Sequence, residues 1–279
     1  MRFGLHLSIS KGLLNTVAEA QRLHCDTIQI FTRSPRMWRT RSIGKKEADE
    51  FTHALKNAGI HPLVVHTPYL PNLCTSDPAL YKKSLDAFKD DVRRAELLGA
   101  EFLVIHPGAY SPDKTEAEGY KNLLSALDTI FTHQTSVTIL LENMAGGGRR
   151  LGGSFEKLAW IIKHAKITAH LGVCLDTSHA VGSGFDLSKK KGLDELVAAI
   201  DKTVGIEKIK LLHLNDSKTS SGSHRDRHEH IGKGYIGKQG FKNLLHHRSF
   251  KDIPAILETP KDTPRSDIQN LKMIRALSN

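Results

Sequence analysis

Cysteine is scarce in this chain. Its 279 residues hold three, Cys25, Cys74 and Cys174, far apart and in no CxxC pair. That excludes a disulfide scaffold and suggests a reducing compartment. Cys174 lies in an apolar run and reads as an ordinary core residue. No apolar run approaches the roughly 20 residues that span a bilayer. The opening residues MRFGLHLSIS carry no long apolar stretch of the signal-peptide type. A cytoplasmic protein is therefore expected. There is no Pro/Gly-rich linker, so residues 1–279 are expected to form a single domain. No GxGxxG follows the first apolar run and no P-loop occurs, which argues against a doubly wound nucleotide-binding sheet. No GxSxG occurs either, so a Ser/His/Asp hydrolase has no support.

Acidic residues are short relative to basic ones. Forty Lys and Arg face 30 Asp and Glu, a net charge of +10. Such a balance favours polyanionic partners, nucleic acid ahead of membrane. The basic residues cluster between Arg33 and Lys46, where Arg33, Arg36, Arg39, Arg41, Lys45 and Lys46 occur without an acid. Met37 and Trp38 sit among them. A second polar stretch, His213 to Gly240, carries Asp216, His224, Asp226, His228, Glu229 and His230. Taken alone it reads equally as a metal site or as a solvated, His-rich basic loop.

Short apolar runs alternate with helical patterns along the whole length. The runs are Phe3–Leu7, Thr27–Phe31, Leu63–His66, Phe102–His106, Val137–Glu142, Gly172–Asp176, Ile209–Leu214 and Ala255–Glu258. Their length and β-branched content read as buried parallel strands. Helical patterns cover Leu13–Leu23, Glu47–Ala58, Pro78–Leu98, Glu116–His133, Phe155–His164, Leu193–Val204, Phe241–His246 and Ser266–Leu277. Gly59 and Gly99 follow two of them, as C-terminal glycines do. Eight β–α units predict an α/β fold, a single closed (β/α)₈ TIM barrel.

Chemistry in such a barrel sits at the carboxyl ends of the strands. Here six consecutive strands end in a histidine or a carboxylate: His66, His106, Glu142, Asp176, His213 and Glu258. Burying three carboxylates together without cations would be very costly. Imidazoles with carboxylates and no thiolate suit Zn²⁺ or Mn²⁺. Adding His179, Asp226 and His228 makes nine donors, five His, two Asp and two Glu. One metal takes about four or five, so two or three ions with a bridging carboxylate are implied. A multi-metal site in a basic, open barrel mouth points to phosphoester hydrolysis.

The segments VVHTPYLPNL, VIHPGAY, LLENMAGGG, GVCLDTSHAVGSGFDL, LLHLNDSKTSSGSHRDRHEHIGKGYIG and LETP resemble the endonuclease IV family of apurinic/apyrimidinic endonucleases, over essentially the whole chain. The resemblance implies three zinc ions per chain, with Mn²⁺ able to replace one. His66, His106 and Glu142 would hold the first ion. Glu142 would bridge to the second, completed by Asp176, His213 and Glu258. His179, Asp226 and His228 would hold the third, the DRH triplet favouring His228 over His230. Glu142 and Glu258 would act in catalysis through these ions and the hydroxide they hold. The implied reaction cuts the phosphodiester 5′ to an abasic site, leaving a 3′-hydroxyl and a 5′-deoxyribose phosphate, and clears blocked 3′ ends. The partner expected is double-stranded DNA containing abasic sites or blocked 3′ ends, bound by a monomer. Arg36, Tyr69 and Leu70 resemble the residues that enter the duplex at the lesion. An abasic site lacks one base's stacking, so opening the helix there is less costly than elsewhere. The chain departs from the family pattern at Ser178, where cysteine is frequent, and at Gly147-Gly148 and Arg149-Arg150, where AGQG is commoner. A metal-dependent sugar isomerase or epimerase is the rival reading of the same barrel. His6, His224 and His230 are expected to be hydrogen-bonded rim or loop residues, and His246-His247 a surface feature.

Overall fold

The computed structural model describes residues 1–132 and 135–279. Eight parallel strands close into a barrel in the order β1 (Phe3–Leu7), β2 (Thr27–Phe31), β3 (Leu63–His66), β4 (Phe102–Ile105), β5 (Thr138–Glu142), β6 (Leu171–Asp176), β7 (Ile209–His213) and β10 (Ala255–Leu257). Around it lie α1 (Leu13–Arg22), α2 (Lys45–Asn57), α3 (Pro78–Leu97), α4 (Glu116–Phe131), α5 (Phe155–His164), α7 (Lys190–Thr203), α8 (Gly237–Leu245) and α9 (Ser266–Ser278). The expected (β/α)₈ barrel is what the chain forms. The helix expected to reach His133 is described to Phe131, and His133 itself lies outside the described residues.

Local chemistry sets the helix ends. Asp77 accepts the Leu80 N–H at the start of α3, with Pro78 in its first turn. Thr115 and Glu118 form a reciprocal capping box on α4. Gly59 and Gly99, just beyond α2 and α3, both adopt φ 68°, where a Cβ would be strained. Three helices begin two to four residues earlier than the apolar pattern does: α2 at Lys45, α7 at Lys190 and α8 at Gly237. Their first turns are mostly polar and solvent-facing, so hydrophobic periodicity misses them.

A short helix and a short ribbon lie outside the pattern. The short helix α6 (Thr177–Ser183) follows β6 directly, and Asp176 caps it by accepting the His179 N–H at 2.8 Å. A two-stranded antiparallel ribbon, β8 (Asp216–Ser217) with β9 (His228–Glu229), folds the loop after β7 back on itself. Both are too short for a periodic signal.

The barrel interior explains where the donors lie. Val64, Val104, Leu140, Cys174, Leu211 and Ile256 form one buried apolar layer, one residue from each of six strands. Side chains alternate across a strand, so the residue two positions on faces the same way. Those residues are His66, His106, Glu142, Asp176, His213 and Glu258. The residues between, such as Val65, Ile105, Leu141 and Leu212, join the core under the helices. His106 and Glu258 lie one residue beyond the ends of β4 and β10. No helix among the described residues is long and apolar enough to cross a membrane.

Candidate metal centre

The layer above the apolar floor is polar throughout. Glu142, Asp176, His66, His179 and His213 are all at most 3% exposed. The side chains of His106, His228 and Glu258 are 29%, 19% and 19% exposed, and that of Asp226 is 46% exposed. The set therefore runs from the sealed barrel axis out to solvent.

Three overlapping groups of donor atoms form, each within 4.8 Å: His66, His106 and Glu142; Glu142, Asp176, His213 and Glu258; and Asp176, His179 and His228. Glu142 belongs to the first two. Its Oε2 lies 3.1 Å from Nε2 of both His66 and His106, and its Oε1 3.2 Å from Nδ1 of His213. The third group differs in one member from the expected set. It takes in Asp176, while Asp226 reaches the same imidazoles from the solvent side. Asp226 Oδ2 is 3.1 Å from His179 Nε2 and its Oδ1 is 3.2 Å from His228 Nε2. The difference follows from the ribbon: β9 carries His228 inward, and Asp226 sits two residues before it in the open loop.

Buried polar atoms without partners test whether this set suits a cation. Both ring nitrogens of His179 and Nε2 of His228 are buried and make no hydrogen bond, although carboxylate oxygens stand close by. Buried polar atoms are normally paired, and a shared cation between imidazole and carboxylate would satisfy them. The charge pattern agrees. Burial pushes the Glu142 carboxyl up, but His213 and His106 outweigh it and hold the group well below the carboxylate range. Glu258 is likewise held low against its burial, by His213 and His6. Burial lowers His179, yet Asp176, Asp226 and Glu142 raise it well above the usual imidazole value. Burial pushes the Cys174 thiol up to about 12, so it stays neutral in the apolar floor and supplies no thiolate.

Buried amides hold the donors in place. Asn215 donates to Asp176 Oδ2 at 2.7 Å and accepts the Glu258 N–H at 2.8 Å. Asn143 exchanges two bonds with the Asp176 backbone, at 2.7 and 3.1 Å. Gln29 and His6, from β2 and β1, complete the ring under Glu258. Gln29 is not among the expected site residues; in the sequence it shows only as a lone amide inside the apolar run of β2. His6 is the hydrogen-bonded rim residue expected, with Nδ1 3.0 Å from Glu258 Oε1.

Asp216, His230 and His224 of the His-rich loop have structural roles. Asp216 is buried and accepts the backbone N–H of Ser217, Gly234, Ile236 and Gly237. His230 bonds Asp262 and Asn270. His224 packs against the loop after β5, where a Cβ on Gly146 (φ 77°) would come within 2.8 Å of its Nδ1. His246 is exposed.

Outside the donors, Arg36 is exposed, Tyr69 is 68% exposed and Leu70 is half-buried. The Tyr69 ring packs edge-on against Phe31 at 5.6 Å, and Phe31 in turn meets His66 at 5.7 Å. The basic stretch from Arg33 to Lys46 is less free than its composition suggests. Arg33 is buried and bonds Asp91 at 2.8 Å and Asp90 at 3.1 Å. Arg41 pairs with Glu47, Lys45 with Asp49 and Lys46 with Glu50. Arg36 and Arg39 have no acidic partner among the described residues.

A family profile described as a xylose isomerase-like TIM barrel matches residues 17–277. The "Probable endonuclease 4" of Halothermothrix orenii is 38% identical over 277 residues, covering 99% of each chain. That of Cenarchaeum symbiosum is 41% identical over 280 residues, covering 100% of each. The chain belongs to the endonuclease IV family. The crystal structure of endonuclease IV from Thermus thermophilus superposes with a TM-score of 0.88 at 38% identity, over 99% of this chain and 98% of that one. As an endonuclease IV family member, the chain places its donors on the barrel rim where that fold carries its chemistry.

Proposed function

We propose that this chain cuts double-stranded DNA on the 5′ side of an abasic site, as a zinc-dependent phosphodiesterase acting as one unit over residues 1–279. Family membership makes it a hydrolytic apurinic/apyrimidinic endonuclease of DNA repair. The side of cleavage, the metal, the lesion contacts and the clearing of blocked 3′ ends are the proposed part. The observation that carries it is the chain of overlapping donor groups joined through Glu142 and Asp176. A single-ion enzyme has no need of the outer His179–Asp226–His228 set.

In this reading three zinc ions are held. One lies on His66, His106 and Glu142, a second on Glu142, Asp176, His213 and Glu258, and a third on His179, Asp226 and His228, with Asp176 in reach. Mn²⁺ could replace one of them. Bound there, such cations would lower the pKa of water to about 7 and neutralise charge on the phosphate and leaving oxygen. Glu142 and Glu258 are the catalytic carboxylates because they set the spacing and charge of the inner groups. Exposed Arg36 and Tyr69, with half-buried Leu70, would enter the duplex where the missing base leaves a gap, and Arg39 would bind phosphate without reading sequence.

The test is an incision assay on a duplex with one abasic site, with and without chelator. Expected are a 3′-hydroxyl product, loss of cutting on chelation, and about three zinc per chain by metal analysis. A chain carrying one Mn²⁺ or Mg²⁺ that leaves the duplex intact would instead favour the sugar isomerase or epimerase reading, which shares the barrel.

A further inference from the structure

Gln29 is wholly buried at the middle of β2, where its neighbours Ile28 and Ile30 point into the apolar core. Its amide faces inward instead. Nε2 lies 2.6 Å from Glu258 Oε1 and 2.9 Å from His6 Nδ1. Oε1 lies 2.8 Å from His213 Nε2. The barrel's register makes this possible, because His6 pairs directly with Gln29 across β1 and β2, and β1 in turn borders β10.

The chemistry of this contact has one solution. Turning the amide over would set its oxygen 2.6 Å from a carboxylate oxygen, with no proton between them. The NH₂ must therefore face Glu258, and the carbonyl must face His213. A carbonyl only accepts, so His213 Nε2 must carry the proton. A neutral imidazole holds one proton, which leaves the lone pair on Nδ1. That nitrogen is the one that faces the donors, 3.2 Å from Glu142 Oε1 and 3.4 Å from Glu258 Oε2. The same amide occupies Oε1 of Glu258 and leaves Oε2 directed at the cluster.

We propose that Gln29 is a positioning residue for the middle donor group, fixing the Nε2–H tautomer of His213 and the orientation of the Glu258 carboxylate with one buried amide. The inference rests on the metal reading above. A ligating histidine whose far nitrogen is held by a fixed acceptor binds metal more tightly, typically by about 10–100-fold.

The test uses the full chain loaded with zinc. Gln29→Met keeps the length of the side chain and removes both hydrogen-bonding functions. It is expected to fold and to lose one ion at about 10–100-fold lower chelator concentration than wild type, with the other ions retained. Gln29→Leu gives the same comparison if the methionine variant does not fold. A purely structural role would lower the melting temperature and leave the chelator titration unchanged, which overturns the proposal. The nitrogen-15 histidine spectrum of the zinc-loaded wild type needs no variant. A proton on His213 Nε2 with Nδ1 on the metal is expected, and a proton on Nδ1 overturns the proposal. A wild-type chain that retains no metal defeats the metal reading and this inference together. Full wild-type retention by Gln29→Met defeats the role of Gln29 alone.

Discussion

Two polar stretches of this chain each depart from what their composition suggests, and in opposite ways. The loop after β2, from Thr32 to Gly44, has the composition of a free basic patch, yet it is clamped. Arg94 of α3 is 2% exposed and donates to the backbone carbonyls of both Thr32 and Arg41, at the two ends of the loop. Arg33 locks into Asp90 and Asp91 beside it. What remains for a partner is the tip, with Arg36 and Arg39. The stretch after β7 has the composition of a single metal loop, yet it is divided: His213 belongs to the barrel axis, His228 and Asp226 to the outer group, and Asp216 to the backbone. In the first, two of the loop's four arginines, Arg33 and Arg41, serve to hold it still. In the second, His213, Asp226 and His228 serve the site, and Asp216 and His230 hold the loop.

The contrast between site and clamp can be probed by substitution, beginning with the variant of largest effect. Glu258→Gln should lower cleavage about 10³-fold or more, since it removes charge worth several kcal/mol at the reacting phosphate. Binding to abasic duplex should remain measurable, because the loop tip is intact; a wild-type rate would refute the role. Arg33→Met should destabilise the fold by about 3 kcal/mol in urea unfolding, because it strips the partner from buried Asp91. Burial already pushes the Asp91 carboxyl up, to about 6 even with Arg33 opposing it, so the variant should take up a proton there. Its kcat should hold while its affinity for abasic duplex falls; unchanged stability would mean the clamp is ornamental.

The outer group should show itself by pH. Burial opposes charge on His228, but Asp226, Asp176 and Glu258 push it up to about 9, above its ordinary 6.5. In chelated protein its contribution to stability is complete below pH 6.5 and is lost as pH rises through 9. Asp226 is opposed by burial but held below its ordinary 3.8 by His179 and His228, so its contribution is present above 3.8 and fades as pH falls through the depressed value. Melting curves of the chelated protein should thus decline between neutral pH and about 9. Zinc retention should run the other way, weakening on acidification as protons compete for the imidazoles. A flat melting profile would argue against the His228–Asp226 contact. Smaller still, Tyr69→Ala should weaken binding to abasic duplex by about 10-fold, and more than to intact duplex; equal losses on both would remove it as a wedge. Arg36→Ala should mainly cut the salt dependence of binding, by about one unit of slope.

Much of this is legible in the order of the residues. Alternation of apolar runs and helical patterns yields the barrel, because parallel strands buried on both faces must be apolar throughout. The six strand-end donors stand out because each interrupts such a run at its carboxyl end. What escapes are features defined by partners rather than by pattern. Gln29 is a single polar residue in an apolar strand. The α6 helix is short and capped by a donor, Asp176. The ion pairs of Arg33 and Arg41 reach acids that lie 58 and six residues away, invisible to a count of charges within the loop.

Strand periodicity and local motifs are short-range properties. The barrel, the family and the residue type at each strand end therefore follow from the amino-acid order alone. How those residues divide among the donor groups is a matter of the folded chain. Barrel closure brings β10 back beside β1 and sets Gln29 under Glu258, 229 residues away. The fold of the ribbon sets Asp176 rather than Asp226 innermost in the outer group. Hydrogen bonds and charge depend on distance in space, and the shear and closure of the sheet, not the order of the residues, assign those distances.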